Sequence, residues 1–128
     1  MRVFIADDSK VVRESLNTTL SDFPEIEIIG EAQFADEAVN SIRELKPDVV
    51  ILDIKMPGGG GINALKTVKK FPLAPIVIMF TAFPYSSYRK ICKEAGADFF
   101  FSKSGEFKKF IEALKQLIPG FQTTHTQN

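Results

Sequence analysis

Five short apolar runs recur along the chain at nearly even spacing, and they constrain its fold more than any other feature. The runs begin 22 to 27 residues apart and are Val3–Ala6, Glu27–Gly30, Val49–Leu52, Ile76–Phe80 and Phe99–Phe101. Short runs rich in Val, Ile and Phe, without polar alternation, are typical of strands covered on both faces, as in a parallel sheet. Because parallel strands need crossover connections, each gap is expected to hold a helix.

The gaps between the runs carry the periodicity of amphipathic helices. Apolar residues recur three or four positions apart in each gap, as Leu16 and Leu20 do in the first. Ser9 is placed to cap the first helix, Pro84 to lie in the first turn of the fourth, and Ser104 to cap the fifth. Each gap therefore predicts one helix between two strands.

Five strand–helix repeats predict a doubly wound α/β fold, with a five-stranded parallel sheet and helices on both faces, of the flavodoxin-like (βα)5 type. The repeats, closed by Pro119 and Gly120, predict one domain over residues 1–120. The full 128 residues fit the usual size of one domain, about 100–150 residues. Residues 121–128 are expected to form a short polar tail in which His125 is exposed.

Composition excludes several classes of partner. Sixteen Lys and Arg balance sixteen Asp and Glu, so the summed charge predicts no direct binding of nucleic acid. The longest apolar run, Ile76–Phe80, is far shorter than the ~20 residues that cross a bilayer, so we expect no membrane insertion. With Cys92 as the only cysteine and no signal-peptide pattern, the chain is expected to be cytoplasmic, and Cys92 to be a small buried apolar residue.

Polar side chains follow the predicted strands at the edge where a doubly wound sheet binds ligands. Asp7 and Asp8 follow the first run, Asp53 the third, Thr81 the fourth, and Lys103 comes shortly after the fifth. The carboxyl ends of parallel strands meet at one edge of the sheet. We therefore expect three carboxylates, a hydroxyl and an ammonium group to converge there.

This set of groups predicts metal-assisted phosphoryl transfer. Clustered carboxylates repel one another unless a cation neutralises them, and Mg2+ prefers such hard oxygen ligands. Asp53 ends the most apolar strand at the centre of the edge, so it is the expected nucleophile. Lys103 is expected to pair with the incoming phosphoryl group, and Thr81 to donate a hydrogen bond to it.

Five sequence features, in this order and at these separations, resemble the receiver domain of bacterial two-component response regulators. They are the Asp7–Asp8 pair, Asp53 with Met56, Pro57 and Gly58 after it, Thr81–Ala82, the segment Glu94–Asp98, and Lys103 before the last helix. Each is weak alone, but the ordered set is specific. The resemblance extends from Met1 to about Ile118, nearly the whole chain.

The resemblance implies a role for each residue at the acidic edge. Asp53 resembles the phosphoacceptor, and the donor would be a histidine kinase or a histidine phosphotransfer protein. Asp7, Asp8 and Asp53, with the backbone carbonyl of Lys55, resemble the ligands of Mg2+. Such a domain is a phosphoacceptor switch with slow self-dephosphorylation rather than an enzyme acting on another substrate.

The resemblance also implies a switch. Thr81 and Lys103 resemble the residues that sense the phosphoryl group, and Phe100 resembles the aromatic of the fifth strand that turns inward on phosphorylation. The surface of the fourth helix, fifth strand and fifth helix would then bind an unknown output protein or a second copy of the chain. Two departures stand out: Ser104 follows Lys103 where many receivers have proline, so a trans peptide bond is expected, and Phe100 replaces a frequent tyrosine.

One alternative function fits the same residues, and others fit them less well. The same residues serve a phosphorelay intermediate that passes the phosphoryl group to a histidine phosphotransfer protein, and the sequence does not separate the two. The segment after Lys103 resembles receivers joined to helix-turn-helix output domains, but no such domain follows, so a stand-alone regulator is expected. A flavodoxin-like electron carrier is disfavoured because Asp7 and Asp8 would repel a flavin phosphate. The glycines at 58–61 are expected to form a flexible loop rather than a phosphate-binding loop for a nucleotide, since no Lys-Ser or Lys-Thr follows them.

Overall fold

Strands and helices alternate strictly in the computed structural model, which describes residues 1–121. The elements are β1 (Arg2–Ala6), α1 (Lys10–Leu20), β2 (Glu27–Ala32), α2 (Ala35–Leu45), β3 (Val49–Leu52), α3 (Gly61–Val68), β4 (Ile76–Thr81), α4 (Ser86–Glu94), β5 (Phe99–Ser102) and α5 (Phe107–Leu117). All five predicted strands and all five predicted helices are confirmed. The predicted polar tail with His125 lies outside the described residues, apart from Phe121.

The strands form one parallel sheet in the order β2-β1-β3-β4-β5. The chain winds outward from β1 to one edge and then, from β3, to the other, which is the predicted doubly wound arrangement. β3 lies at the centre of the sheet, so its carboxyl end opens into the crevice where the winding direction changes. Asp53, directly after β3, is therefore centred on the edge, as expected.

Two apolar layers cover the sheet. Leu16 and Leu20 of α1 pack with Phe110 and Leu114 of α5 on one face, while α2, α3 and α4 cover the other. β3 is buried along its whole length because its residues alternate between the two layers. The edge strands β2 and β5 are only partly buried, although β5 packs against both layers, with Phe100 on one face and Phe99 and Phe101 on the other.

Two predicted helix starts are wrong, whereas the predicted Ser9 cap is confirmed. The Ser9 hydroxyl accepts a hydrogen bond from the Val12 amide at 3.2 Å. Ser104 does not cap α5, because its amide donates to the Ser102 hydroxyl in a turn and the helix begins after Glu106. Pro84 lies outside the first turn of α4, since the N-cap of that helix is Tyr85.

The first part of the glycine-rich loop after β3 is hydrogen-bonded to the start of α2. The amides of Ala35 and Asp36 at the start of α2 donate to the carbonyls of Pro57 and Gly58, at 2.8 and 3.1 Å. These bonds satisfy amide groups that a helix start leaves free. At Gly61 a Cβ atom would overlap the carbonyl oxygen of Asp53, so α3 approaches the site closely only because this residue is glycine.

Three smaller expectations concern single residues and the membrane. No cis peptide bond occurs in the described part of the chain, which confirms the trans bond between Lys103 and Ser104. Cys92 is fully buried among apolar residues, and burial raises the pKa of its thiol. Among residues 1–121, no helix has the length and apolar character needed to cross a bilayer.

Candidate functional site

Three aspartates meet at the carboxyl edge of the sheet. Asp7, Asp8 and Asp53 each offer a carboxylate oxygen, and these oxygens all lie within 4.8 Å of one another. Asp7 and Asp53 are buried, with only 2% and 4% of their surface exposed, whereas Asp8 is exposed at the rim. The predicted convergence of the three carboxylates is therefore observed, with access from solvent on the Asp8 side.

Lys103 lies between the two buried carboxylates. Its ammonium nitrogen is 2.6 Å from Asp7 Oδ2 and 3.2 Å from Asp53 Oδ2, and its side chain is 16% exposed. The sequence predicted Lys103 as a partner for an incoming anion but not its contact with Asp7. One lysine thus balances two buried negative charges, which leaves an excess of negative charge before Asp8 is counted.

The charge imbalance affects the pKa of Asp53. Burial, and then the negative charge of Asp7, raise the pKa of Asp53 above its ordinary value, although Lys103 acts in the opposite direction. Burial alone would lower the pKa of Lys103, but its hydrogen bond to Asp7 and the charges of both aspartates outweigh burial and raise it. The folded protein therefore holds an ionised Asp53 at a free-energy cost that a bound cation would reduce.

Backbone contacts fix the positions of the acidic residues. The Asp53 amide donates to the Ala6 carbonyl at 3.0 Å, which ties the end of β3 to the end of β1. The amide of Ile54 donates to Asp53 Oδ1 at 2.8 Å, so Oδ2 is the oxygen turned toward Lys103. Arg13 of α1, which the sequence analysis missed, donates to the Asp7 carbonyl at 2.6 Å. These contacts orient the carboxylates without consuming all of their acceptor capacity.

Thr81 is fully buried at the end of β4, next to the segment that carries Lys103. Its hydroxyl oxygen accepts a hydrogen bond from the Phe83 amide at 3.0 Å, and its carbonyl accepts one from the Lys103 amide at 2.8 Å. Thr81 pairs with Ser102, and two positions earlier Met79 pairs with Phe100. The side chains of Thr81 and Phe100 therefore lie on the same face of the sheet.

The structure places the Lys55 side chain beside two aromatic rings and the Phe100 side chain beside α4. The exposed Lys55 side chain places its ammonium 5.3 Å from the ring centre of Phe83 and 5.6 Å from that of Tyr88. Phe100 is half-buried against the layer under α4, opposite to Phe99 and Phe101, as the strand alternation predicted.

Arg89 and Glu106, which the sequence analysis also missed, surround Phe100 and the start of α5. The Arg89 guanidinium lies 4.7 Å from the centre of the Phe100 ring, and it donates to Glu106 Oε1 at 2.7 Å. In the sequence, the one indication of this contact is that residues of opposite charge belong to the segments on either side of the fifth strand. Residue spacing along the chain does not predict that Arg89 and Glu106, which belong to different segments, form an ion pair.

The donor set fits a small divalent cation. Carboxylate oxygens are hard ligands, and three of them lie within 4.8 Å of one another, close enough to face one small ion. A thiolate metal does not fit, because Cys92 is buried in the layer under α4 and is not part of the cluster. The carboxyl edge is thus chemically suited to bind Mg2+ beside a carboxylate.

Fold and site together define a flavodoxin-like α/β protein with an acidic site at the centre of its sheet edge. The model of the response regulator receiver domain family matches residues 3–115. The chain belongs to this family.

Named relatives agree with the family match. Over 91% of its length the chain is 37% identical to protein-glutamate methylesterase/protein-glutamine glutaminase 1 of Carboxydothermus hydrogenoformans, of which it covers 35%. Over 94% it is 28% identical to the response regulator GacA of Pseudomonas aeruginosa, of which it covers 56%. It therefore spans between about a third and just over half of these curated relatives.

A solved structure agrees with the fold. One chain in the crystal structure of the CheX-CheY-BeF3-Mg+2 complex from Borrelia burgdorferi superposes with a TM-score of 0.84 at 28% identity. The match covers 91% of this chain and 88% of that one. The similarity extends over nearly the whole described fold.

Proposed function

We propose that this receiver domain accepts a phosphoryl group on Asp53 in the presence of Mg2+, from a histidine kinase or a histidine phosphotransfer protein. The observation that carries the proposal is the placement of Lys103 between the buried Asp7 and Asp53, with Asp8 at the open rim. One lysine does not neutralise three carboxylates, so the edge favours a cation. The family match makes a phosphoryl group the natural second ligand.

The proposed reaction uses groups that this chain already orients. An oxygen of the ionised Asp53 forms the bond to phosphorus while the bond between phosphorus and the donor's imidazole nitrogen breaks. Lys103 exchanges its contact with Asp53 for contacts to the phosphoryl oxygens, and it retains Asp7. Charge on the phosphoryl group is then balanced by an ammonium group that needs only a short movement.

Asp7, Asp8 and Asp53, with the backbone carbonyl of Lys55, would hold the magnesium ion. When bound, Mg2+ supplies positive charge that lowers the repulsion between these carboxylates and the transferred phosphoryl oxygens. The match to a chain from a complex that contains BeF3 and Mg+2 supports this ligand pair. Slow hydrolysis of the acyl phosphate would return the domain to its starting state, and we propose no other substrate.

The switch that we propose couples Thr81 to Phe100. Thr81 releases the Phe83 amide and donates its hydroxyl to the phosphoryl group, and Phe100, on the same face of the sheet, turns inward. The surface of α4, β5 and α5 then changes and binds an output partner, or a second copy of the chain. We place this function in residues 1–120.

The proposal is tested by incubating the purified protein with acetyl phosphate and MgCl2 and measuring its mass. Addition of a single phosphoryl group is expected, which chelation of the metal prevents. Asp53→Ala is expected to give no label, whereas Asp22→Ala, at an exposed position outside the site, is a matched control and labels normally. Labelling of Asp53→Ala at the wild-type rate would refute the assignment.

A further inference from the structure

The half-buried Phe100 ring is contacted by a residue of the neighbouring helix. The guanidinium of Arg89 in α4 lies over the ring at 4.7 Å from its centre, and the same group donates to the Phe100 carbonyl at 3.3 Å. A cation over an aromatic face is attracted by the electron density of the ring. Arg89 thus contacts both the backbone and the side chain of one residue of β5.

Glu106 fixes Arg89 in that position. It receives a hydrogen bond from Arg89 at 2.7 Å, and the same oxygen receives the Ser102 amide at 2.9 Å. Ser102 precedes Lys103, so one carboxylate joins α4 to the turn that carries the site lysine. The side chains of Arg89 and Glu106 are 41% and 23% exposed, and the pKa of Glu106 is lowered, first by its bond to Arg89.

These contacts favour one position of Phe100. The structure shows the cation–aromatic contact with the ring beside α4. In the switch proposed above, a ring that turned toward Thr81 would leave this contact. An interaction that is present in only one of two arrangements stabilises that arrangement by its full free energy. Arg89 therefore opposes any change of state that requires Phe100 to leave the surface.

We propose that Arg89 and Glu106 are positioning residues that hold Phe100 at the surface and so oppose the phosphorylated arrangement. This inference rests on the proposed function, in which Phe100 turns inward when Asp53 carries a phosphoryl group. Loss of the contact is then expected to strengthen binding of a phosphoryl mimic while it weakens the fold. A merely structural role predicts the second effect without the first.

The test is a titration with beryllium fluoride at fixed MgCl2, followed by NMR, together with thermal unfolding of each free protein. Arg89→Gln is expected to lower the apparent dissociation constant about two- to five-fold, the equivalent of one solvent-exposed cation–aromatic contact. Its melting temperature is expected to fall. Glu106→Gln keeps an acceptor for the Ser102 amide but loses the ion pair, so it should show a smaller gain in affinity.

Two controls isolate the contact with the ring. Lys93 lines a surface cavity of about 330 Å3 together with Arg89 and Phe100, and it carries the same charge as Arg89. Lys93→Gln therefore controls for the loss of one positive charge in this region, and it should leave the affinity for beryllium fluoride unchanged. In a Phe100→Leu background, Arg89→Gln should produce no further gain, because no ring remains to be held.

Each outcome decides the question. Unchanged or weaker binding by Arg89→Gln, an equal gain in Lys93→Gln, or a gain that persists in the Phe100→Leu background would overturn the positioning role. If the wild-type protein binds beryllium fluoride in an Asp53-dependent way, the proposed function survives that result. If it does not bind, the proposed function fails, and this inference fails with it.

Discussion

Two charged clusters in this receiver domain each combine one basic side chain with carboxylates, but with opposite effects on the pKa of a carboxyl group. At the carboxyl edge, Lys103 is shared between the buried Asp7 and Asp53, and burial raises the pKa of Asp53. Beside β5, Arg89 faces the more accessible Glu106, and the pKa of Glu106 is lowered. The first cluster is short of positive charge and suited to a ligand, whereas the second is balanced and stabilises the fold by itself.

The largest expected effect comes from removing the shared cation. Lys103→Met leaves two buried carboxylates without a positive partner, and we expect the free energy of unfolding to fall by about 3 kcal/mol. Urea denaturation of the variant measures this. Lys10→Met, which breaks an exposed pair with Glu14, is the matched control and should cost less than about 0.5 kcal/mol.

Magnesium sharpens the same prediction. Because a bound cation replaces part of the lost charge, MgCl2 should recover more stability in Lys103→Met than in the wild-type protein. Equal losses of unfolding free energy in Lys103→Met and Lys10→Met would show that the buried ion pairs of Lys103 stabilise the fold no more than an exposed ion pair does.

A smaller effect of opposite sign is expected at Asp53. Since the fold disfavours the ionised carboxylate, Asp53→Asn should raise the free energy of unfolding at pH 7 by about 1 kcal/mol. The variant should also gain less stability from MgCl2, because one ligand has lost its charge. A destabilised variant would mean that the attraction of Lys103 outweighs burial and Asp7, and the contrast between the clusters would then be weaker than we infer.

The smallest effect concerns Glu106 and its pH dependence. A carboxyl with a lowered folded pKa contributes stability above its unfolded value of about 4.5, and the contribution is lost as the pH falls through the folded pKa. Glu106→Gln should therefore cost below about 1 kcal/mol at pH 7, and the difference from the wild type should vanish in acid. Chemical denaturation at pH 7 and at several acid values measures both quantities. A difference that grows on acidification would contradict the sign.

Much of the site was predictable because the residues at strand ends inherit their position from the strands. The apolar runs set the five strands, and Asp7, Asp8, Asp53 and Thr81 then had to meet at one edge. Helix starts were less predictable. Serine is a common helix cap, but the Ser104 amide donates to the Ser102 hydroxyl in a turn. This local hydrogen bond competes with helix formation at Ser104, and α5 begins at Phe107.

Contacts across elements could not be predicted from spacing. Arg13 and Arg89 lie on helices, and Glu106 directly precedes one; the rotation of these helices about their own axes is set by packing against the sheet. The glycine-rich loop gave a similar result: its composition predicted a loop, but not that the carbonyls of Pro57 and Gly58 accept hydrogen bonds from the amide groups at the start of α2. Glycine content indicates which backbone conformations are accessible, whereas the hydrogen bonds that the backbone makes depend on the neighbouring elements.

The sequence by itself determined the number and type of elements and the strand ends that carry the acidic residues. These features follow from periodicity, which is local and depends on which side chains avoid water. Only the tertiary structure decided that Lys103 contacts Asp7 as well as Asp53, and that Arg89 covers Phe100 while it binds Glu106. Such contacts depend on sheet twist and on helix docking, because a side chain's partner is set by distances in space between residues far apart in sequence.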